Sequence, residues 1–178
     1  LYVMPEMENF IKTNDPFKFL ISSENILITP IKENREISLT PNVSINPFLV
    51  PHRNELSETV GYQILSDNKK IIYLPDIDSW DEWDQDIISL IKNNDILFLD
   101  GTFYDKDEIN NRSVSEIPHP SIHESIRFFS NLNKDDRNKI FFTHLNHTNR
   151  AIKENHKSRH FLDSEGYHIA NDGQVFYI

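Results

Sequence analysis

Four short apolar runs in this sequence end on side chains that could bind a metal ion or move a proton. Phe48-Leu49-Val50 leads into Pro51-His52-Arg53, and Ile71-Ile72-Tyr73-Leu74 into Pro75-Asp76-Ile77-Asp78. Ile96-Leu97-Phe98-Leu99 leads into Asp100-Gly101-Thr102, and Ile140-Phe141-Phe142 into Thr143-His144-Leu145-Asn146-His147. Neutral imidazole and carboxylate form the ligand set of zinc, iron or manganese where no thiolate is on offer. The chain has eight histidines and no cysteine, which excludes disulfides, thiolate metal sites and a cysteine nucleophile. A divalent ion held this way lowers the pKa of its water and supplies hydroxide near neutral pH, which is hydrolytic chemistry. Iron with open positions would instead activate oxygen, and residue types alone leave both open.

Taken singly, each of these residues has a plainer reading. An aspartate after a strand, such as Asp78 or Asp100, more often turns the chain or caps a helix. A His-x-x-His pair such as His144 and His147 arises by chance in a histidine-rich chain, and His119 between Pro118 and Pro120 reads as a loop residue. His123 suits the first turn of a helix, His156 and His160 a polar surface, and His168 the outward side of a short strand. Trp80 and Trp83 read as core or lip. What points to a site is the joint occurrence, because layered α/β folds gather their sites at the carboxyl ends of strands.

The elements that must carry these loops follow from the hydrophobic pattern. Leu1-Tyr2-Val3-Met4 is a short apolar run, and Pro5 suits the first turn of a helix reaching Ile11. Between Phe17 and Leu65, stretches 26–29, 37–40, 43–50 and 59–65 read as consecutive, mostly antiparallel strands, with a turn at Asp67-Asn68. From Lys70 onward strand and helix alternate. Ser79 with Glu82 predicts a capping box for a helix whose apolar stripe is Trp80, Trp83, Ile87 and Ile91. Ser121 with Glu124 predicts another for a helix carrying Ile122, Ile126 and Phe129. Stretch 175–178 reads as a closing strand.

Composition bounds the function. With 38% hydrophobic residues the chain is globular, and 28 acidic against 18 basic side chains give a net charge of −10. That balance disfavours a nucleic-acid partner. No stretch approaches the roughly 20 consecutive apolar residues of a membrane helix, so no membrane partner is expected. The expectation is a cytoplasmic protein taking a small-molecule or peptide-derived substrate, with a homo-oligomer left open. The chain opens at Leu1 in what reads as a domain interior, so a targeting segment upstream would lie outside the sequence.

Five blocks, taken together and in order, resemble one family. They are Val50-Pro51-His52-Arg53-Asn54-Glu55-Leu56-Ser57-Glu58-Thr59-Val60-Gly61-Tyr62, Leu74-Pro75-Asp76-Ile77-Asp78-Ser79-Trp80, Leu99-Asp100-Gly101-Thr102-Phe103-Tyr104, Glu116-Ile117-Pro118-His119-Pro120 and Phe142-Thr143-His144-Leu145-Asn146-His147-Thr148-Asn149. The combination resembles the pyrroloquinoline quinone biosynthesis protein B family of the metallo-β-lactamase-fold superfamily. The resemblance implies an α/β fold, a four-layered αββα sandwich with metal ligands on loops at one edge. It implies a zinc or iron ion held by His52, Asp76 and His144. Asp78, Asp100, His119 and His147 would orient those ligands or face substrate, and Arg53 would grip a carboxylate.

The activity implied is a metal-dependent step in quinone cofactor biosynthesis, by oxidation or hydrolysis of a peptide-derived intermediate. Phosphodiester hydrolysis on the same fold is the alternative enzyme. A non-catalytic binding or carrier protein with an incomplete metal site is the alternative outside enzymes. The superfamily's early His-rich motif is absent from these 178 residues, so residues 1–178 are expected to be the carboxyl-terminal portion of a single domain. Arg150 departs from the family, where proline is usual.

Overall fold

Runs of β-branched and aromatic residues form a mixed seven-stranded sheet whose strands follow sequence order. The computed structural model describes residues 1–108 and 118–178, so Glu116 and Ile117 of the proline-flanked block lie outside the described residues. A parallel pair, β1 (Tyr2–Val3) and β2 (Thr29–Pro30), stands apart from the main sheet. That sheet begins with β3 (Ile37–Thr40), β4 (Val43–Leu49), β5 (Val60–Ser66) and β6 (Lys70–Leu74), all antiparallel. It continues with β7 (Ile96–Asp100), β8 (Ile140–Thr143) and β9 (His168–Ile169), all parallel.

Parallel neighbours need crossovers, and helices supply them. After α1 (Pro5–Thr13) and α2 (Phe17–Ser22), the crossover between β6 and β7 holds α3 (Ile87–Asn93). The next holds α4 (Ile122–Phe128) and α5 (Lys134–Arg137), and the last holds α6 (Lys157–Glu165). The two-residue period of a strand then divides the sheet into unlike faces. Leu74, Leu99, Phe142 and Ile169 lie in register across β6 to β9 and are buried in one core with Ile87, Ile91, Ile122 and Leu162 of the helices. On the other face Tyr62, Tyr73, Phe98, Phe141 and His168 form a registered row, and Tyr73 is 42% exposed. Of the four layers the resemblance implied, the described residues form a seven-stranded sheet with its packed helices and a separate two-stranded pair.

Several expectations are corrected. Residues 79–86 are irregular and α3 starts only at Ile87, because the Asp86 side chain takes the cap by accepting from the Ile88 amide. The tryptophans are anchors rather than a helical stripe: Trp80 Nε1 donates to Ser125 Oγ at 2.9 Å and Trp83 Nε1 to the Leu49 carbonyl at 3.0 Å. No strand forms over 175–178. Phe176 instead sets its ring edge-on to Phe98 and Phe141, at centroid distances of 5.1 and 5.0 Å. The stretch after Phe17 opens with α2, and strand pairing starts at Thr29 rather than 26. The capping box at Ser121 and Glu124 is present in full.

Candidate metal centre

Because β6, β7 and β8 run parallel, with Leu74 opposite Leu99 and Asp100 opposite Thr143, the loops after them emerge at one sheet edge. Asp100 closes β7 and is fully buried. Its Oδ1 accepts from the Thr102 amide at 2.9 Å and the Thr102 hydroxyl at 2.7 Å. Its Oδ2 accepts from the Ile77 amide at 3.2 Å and lies 2.8 Å from His119 Nδ1. One carboxylate thus clasps the loops after β6 and β7 and the segment leading into α4. Gly101 makes the turn possible, since a Cβ there would lie 2.8 Å from Phe142 Cβ and 3.1 Å from the Thr143 carbonyl. Asn149 Nδ2, also buried, donates to the Gly101 carbonyl at 2.7 Å.

The tautomers follow from counting protons. Thr102 Oγ1 has one proton, and Asp100 Oδ1, an acceptor only, takes it. His144 Nδ1, 3.0 Å from the same hydroxyl, must then be the donor, which leaves its Nε2 with a free lone pair. His52 Nδ1 lies 2.5 Å from Asp78 Oδ1 and donates to it, so its Nε2 is likewise the lone-pair nitrogen. That Nε2 sits 3.2 Å from Asp76 Oδ2, so a proton or a metal ion must lie between the two. Asp76 Oδ1 is buried and accepts no hydrogen bond among the described residues, with His119 Nδ1 at 3.5 Å. One ligand atom from each of Asp76, Asp100 and His119 falls within a 4.8 Å group. The His119 ring lies 5.4 Å from that of His52 and 6.1 Å from that of His144.

The Beta-lactamase superfamily domain matches residues 1–145. The chain belongs to that family. Among curated relatives of this superfamily member, Coenzyme PQQ synthesis protein B of Acinetobacter baumannii is 26% identical over 139 residues, 73% of this chain and 45% of the relative. The protein of the same name from Pseudomonas putida is 24% identical over 163 residues, 86% of this chain and 53% of the relative. The chain therefore spans about half the length of the curated relatives it matches. Among solved structures, Zn(2+)-bound PqqB from Methylobacterium extorquens superposes with a TM-score of 0.80 at 21% identity, over 100% of this chain and 64% of that one. A diphosphatase of the PhnP family superposes at 0.61 with 21% identity, over 98% of this chain and 56% of that one. The resemblance read from the five blocks is thus matched in sequence and in fold, and the solved structures of similar fold include a diphosphatase and an isothiocyanate hydrolase.

In this superfamily member the donor set suits a divalent ion: carboxylate and imidazole, no thiolate, and a buried carboxylate oxygen that accepts no hydrogen bond among the described residues. The local field says the same. Burial alone would push the His119 imidazole down, but the hydrogen bond to Asp100 and the charges of Asp100, Asp76 and Asp78 outweigh it and raise its pKa above the ordinary value. The cluster attracts positive charge, whether a proton or a metal. For the metal-free chain the raised value means that protonated His119 stabilises the fold below its unfolded pKa, and that this contribution is lost as pH rises through the folded value. Urea midpoints of the metal-free chain are expected to fall between about pH 6 and about pH 8. A midpoint that climbs over that range would remove His119 from this account.

Other residues singled out from the sequence stand outside the cluster. His147 is exposed on the loop after β8 and makes no hydrogen bond or ion pair to the cluster among the described residues. Arg53 is exposed and lines an open depression with His52 and Asp78. Thr102 and Asn149, which organise the site, were not singled out, although the small residue of Asp100-Gly101-Thr102 was the available signal for a tight turn. No helix among the described residues is long and apolar enough to cross a membrane.

Proposed function

We propose that this chain carries the metal-holding loops of an enzyme similar to coenzyme PQQ synthesis protein B, acting on a peptide-derived small molecule in quinone cofactor biosynthesis. The observation that carries the reading is Asp76, whose two oxygens face His52 Nε2 and His119 Nδ1 with no hydrogen bond to Oδ1. His52 and Asp76 would hold a zinc or iron ion, with His144 and His119 as further nitrogen donors. An ion bound there supplies a Lewis acid and, near neutral pH, a hydroxide. Asp78 keeps the proton on His52 Nδ1 and Thr102 accepts from His144 Nδ1, so each ring offers Nε2 in the unprotonated form. Asp100, already saturated with donors, fixes the loops.

Metal content tests this reading. After dialysis against zinc, the chain is expected to retain about one ion, and His52→Ala and His144→Ala to retain much less. Wild-type content in both variants would sink it. Hydrolysis and oxidation part on the metal, since zinc has no redox chemistry. Turnover supported by zinc points to hydrolysis, and turnover that requires iron and oxygen points to oxidation.

A further inference from the structure

We propose that the cavity of about 520 Å³ between His119 and the end of α4 is a carboxylate-binding subsite anchored by Arg127. Its volume lies within the roughly 300–1,000 Å³ of small-molecule pockets. Most of the charges around it are already committed. Lys106 Nζ is paired with Glu124, whose other oxygen accepts from the Ser121 amide at 3.0 Å. Asp78 holds His52. Arg127, on the last turn of α4, is exposed and forms no ion pair among the described residues. A bare surface arginine alone means little. This one borders a concavity with Phe128, 38% exposed, Pro120 and Trp80 as apolar wall and His119 at its inner end. The wall is preset, because the indole of Trp80 is tied to Ser125.

Charge then selects the ligand. A guanidinium grips a carboxylate with two parallel N–H bonds and is weakly hydrated enough to give up water for it. Asp78, Asp81 and Glu124 on the same walls repel a second negative charge, so a monocarboxylate is favoured over a dianionic phosphate ester. Phe128 and Pro120 take an aromatic or aliphatic body. The inference rests on the proposed function for one point only, that the far end of the ligand is presented to the reacting centre at His119.

The test uses the chain stripped of metal, so that no probe can bind through an ion, with phenylacetate, phenylacetamide and phenyl phosphate titrated by calorimetry and saturation-transfer NMR. Phenylacetate is expected to bind at least about tenfold more tightly than the neutral amide and more tightly than phenyl phosphate. Arg127→Gln should erase the preference for acid over amide, and Arg127→Lys should keep part of it. Amide binding equal to acid binding, tighter binding of phenyl phosphate, or an unchanged preference in Arg127→Gln would each overturn the subsite. Zinc uptake by the unmodified chain, measured separately, reports on the metal reading alone, so the two can fail independently.

Discussion

Asp100→Ala is expected to cost the metal-free chain about 3–5 kcal/mol, the range for breaking a buried, hydrogen-bonded charge pair. The side chain is fully buried, and its loss strands the Thr102 amide and hydroxyl, the Ile77 amide and the protonated face of His119. Each buried donor left without an acceptor costs about 1–3 kcal/mol. Against a typical domain stability of about 5–15 kcal/mol, such a loss leaves a large unfolded population. Urea unfolding followed by Trp80 and Trp83 fluorescence gives the number. Asp100→Asn should cost about half as much, because Oδ1 still accepts from Thr102 while an amide nitrogen meets the Ile77 and His119 donors. An alanine variant within about 0.5 kcal/mol of wild type, the scatter of ordinary surface changes, would show that the clasp is not structural.

How much of this was readable in the sequence depends on the range of the interaction. The strand ends were readable because three short, near-continuous apolar runs, each followed within two residues by Asp or His, are the pattern of parallel strands. Register then carries Asp76, Asp100 and His144 to one edge without further information. The capping box at Ser121 was readable because it is closed within four residues. The same signature at Ser79 misled: Trp80 and Trp83 are spaced like a helical stripe, but each indole is drawn to a partner far along the chain, Ser125 or Leu49, and Asp86 captures the cap. Phe176 was readable as apolar but not as a ring laid across Phe98 and Phe141 without strand pairing. His119 is the clearest limit. Between two prolines it looks like a loop residue, and its place beside Asp100 is set by the β7–α4 connection, for which local pattern has no signal.

The same distinction between fold and site predicts an opposite outcome one strand away. Asp76→Asn is expected to weaken zinc binding by about a hundredfold, at or beyond the upper end of what losing a group that merely orients a ligand costs. Yet it should leave the metal-free chain within about 1 kcal/mol of wild type. Among the described residues Asp76 holds no backbone and its Oδ1 accepts nothing, while its Oδ2 faces His52 Nε2. An amide keeps the shape, can donate to that nitrogen, and removes one negative charge from a pocket that already holds Asp78 and Asp100. Competition against a chelating dye reads the affinity, and urea unfolding in the presence of chelator reads the fold. Unchanged zinc affinity would take Asp76 out of the metal centre. A collapse in stability like that of Asp100→Ala would make it a second clasp, and the orphaned oxygen would then need a donor from outside the described residues.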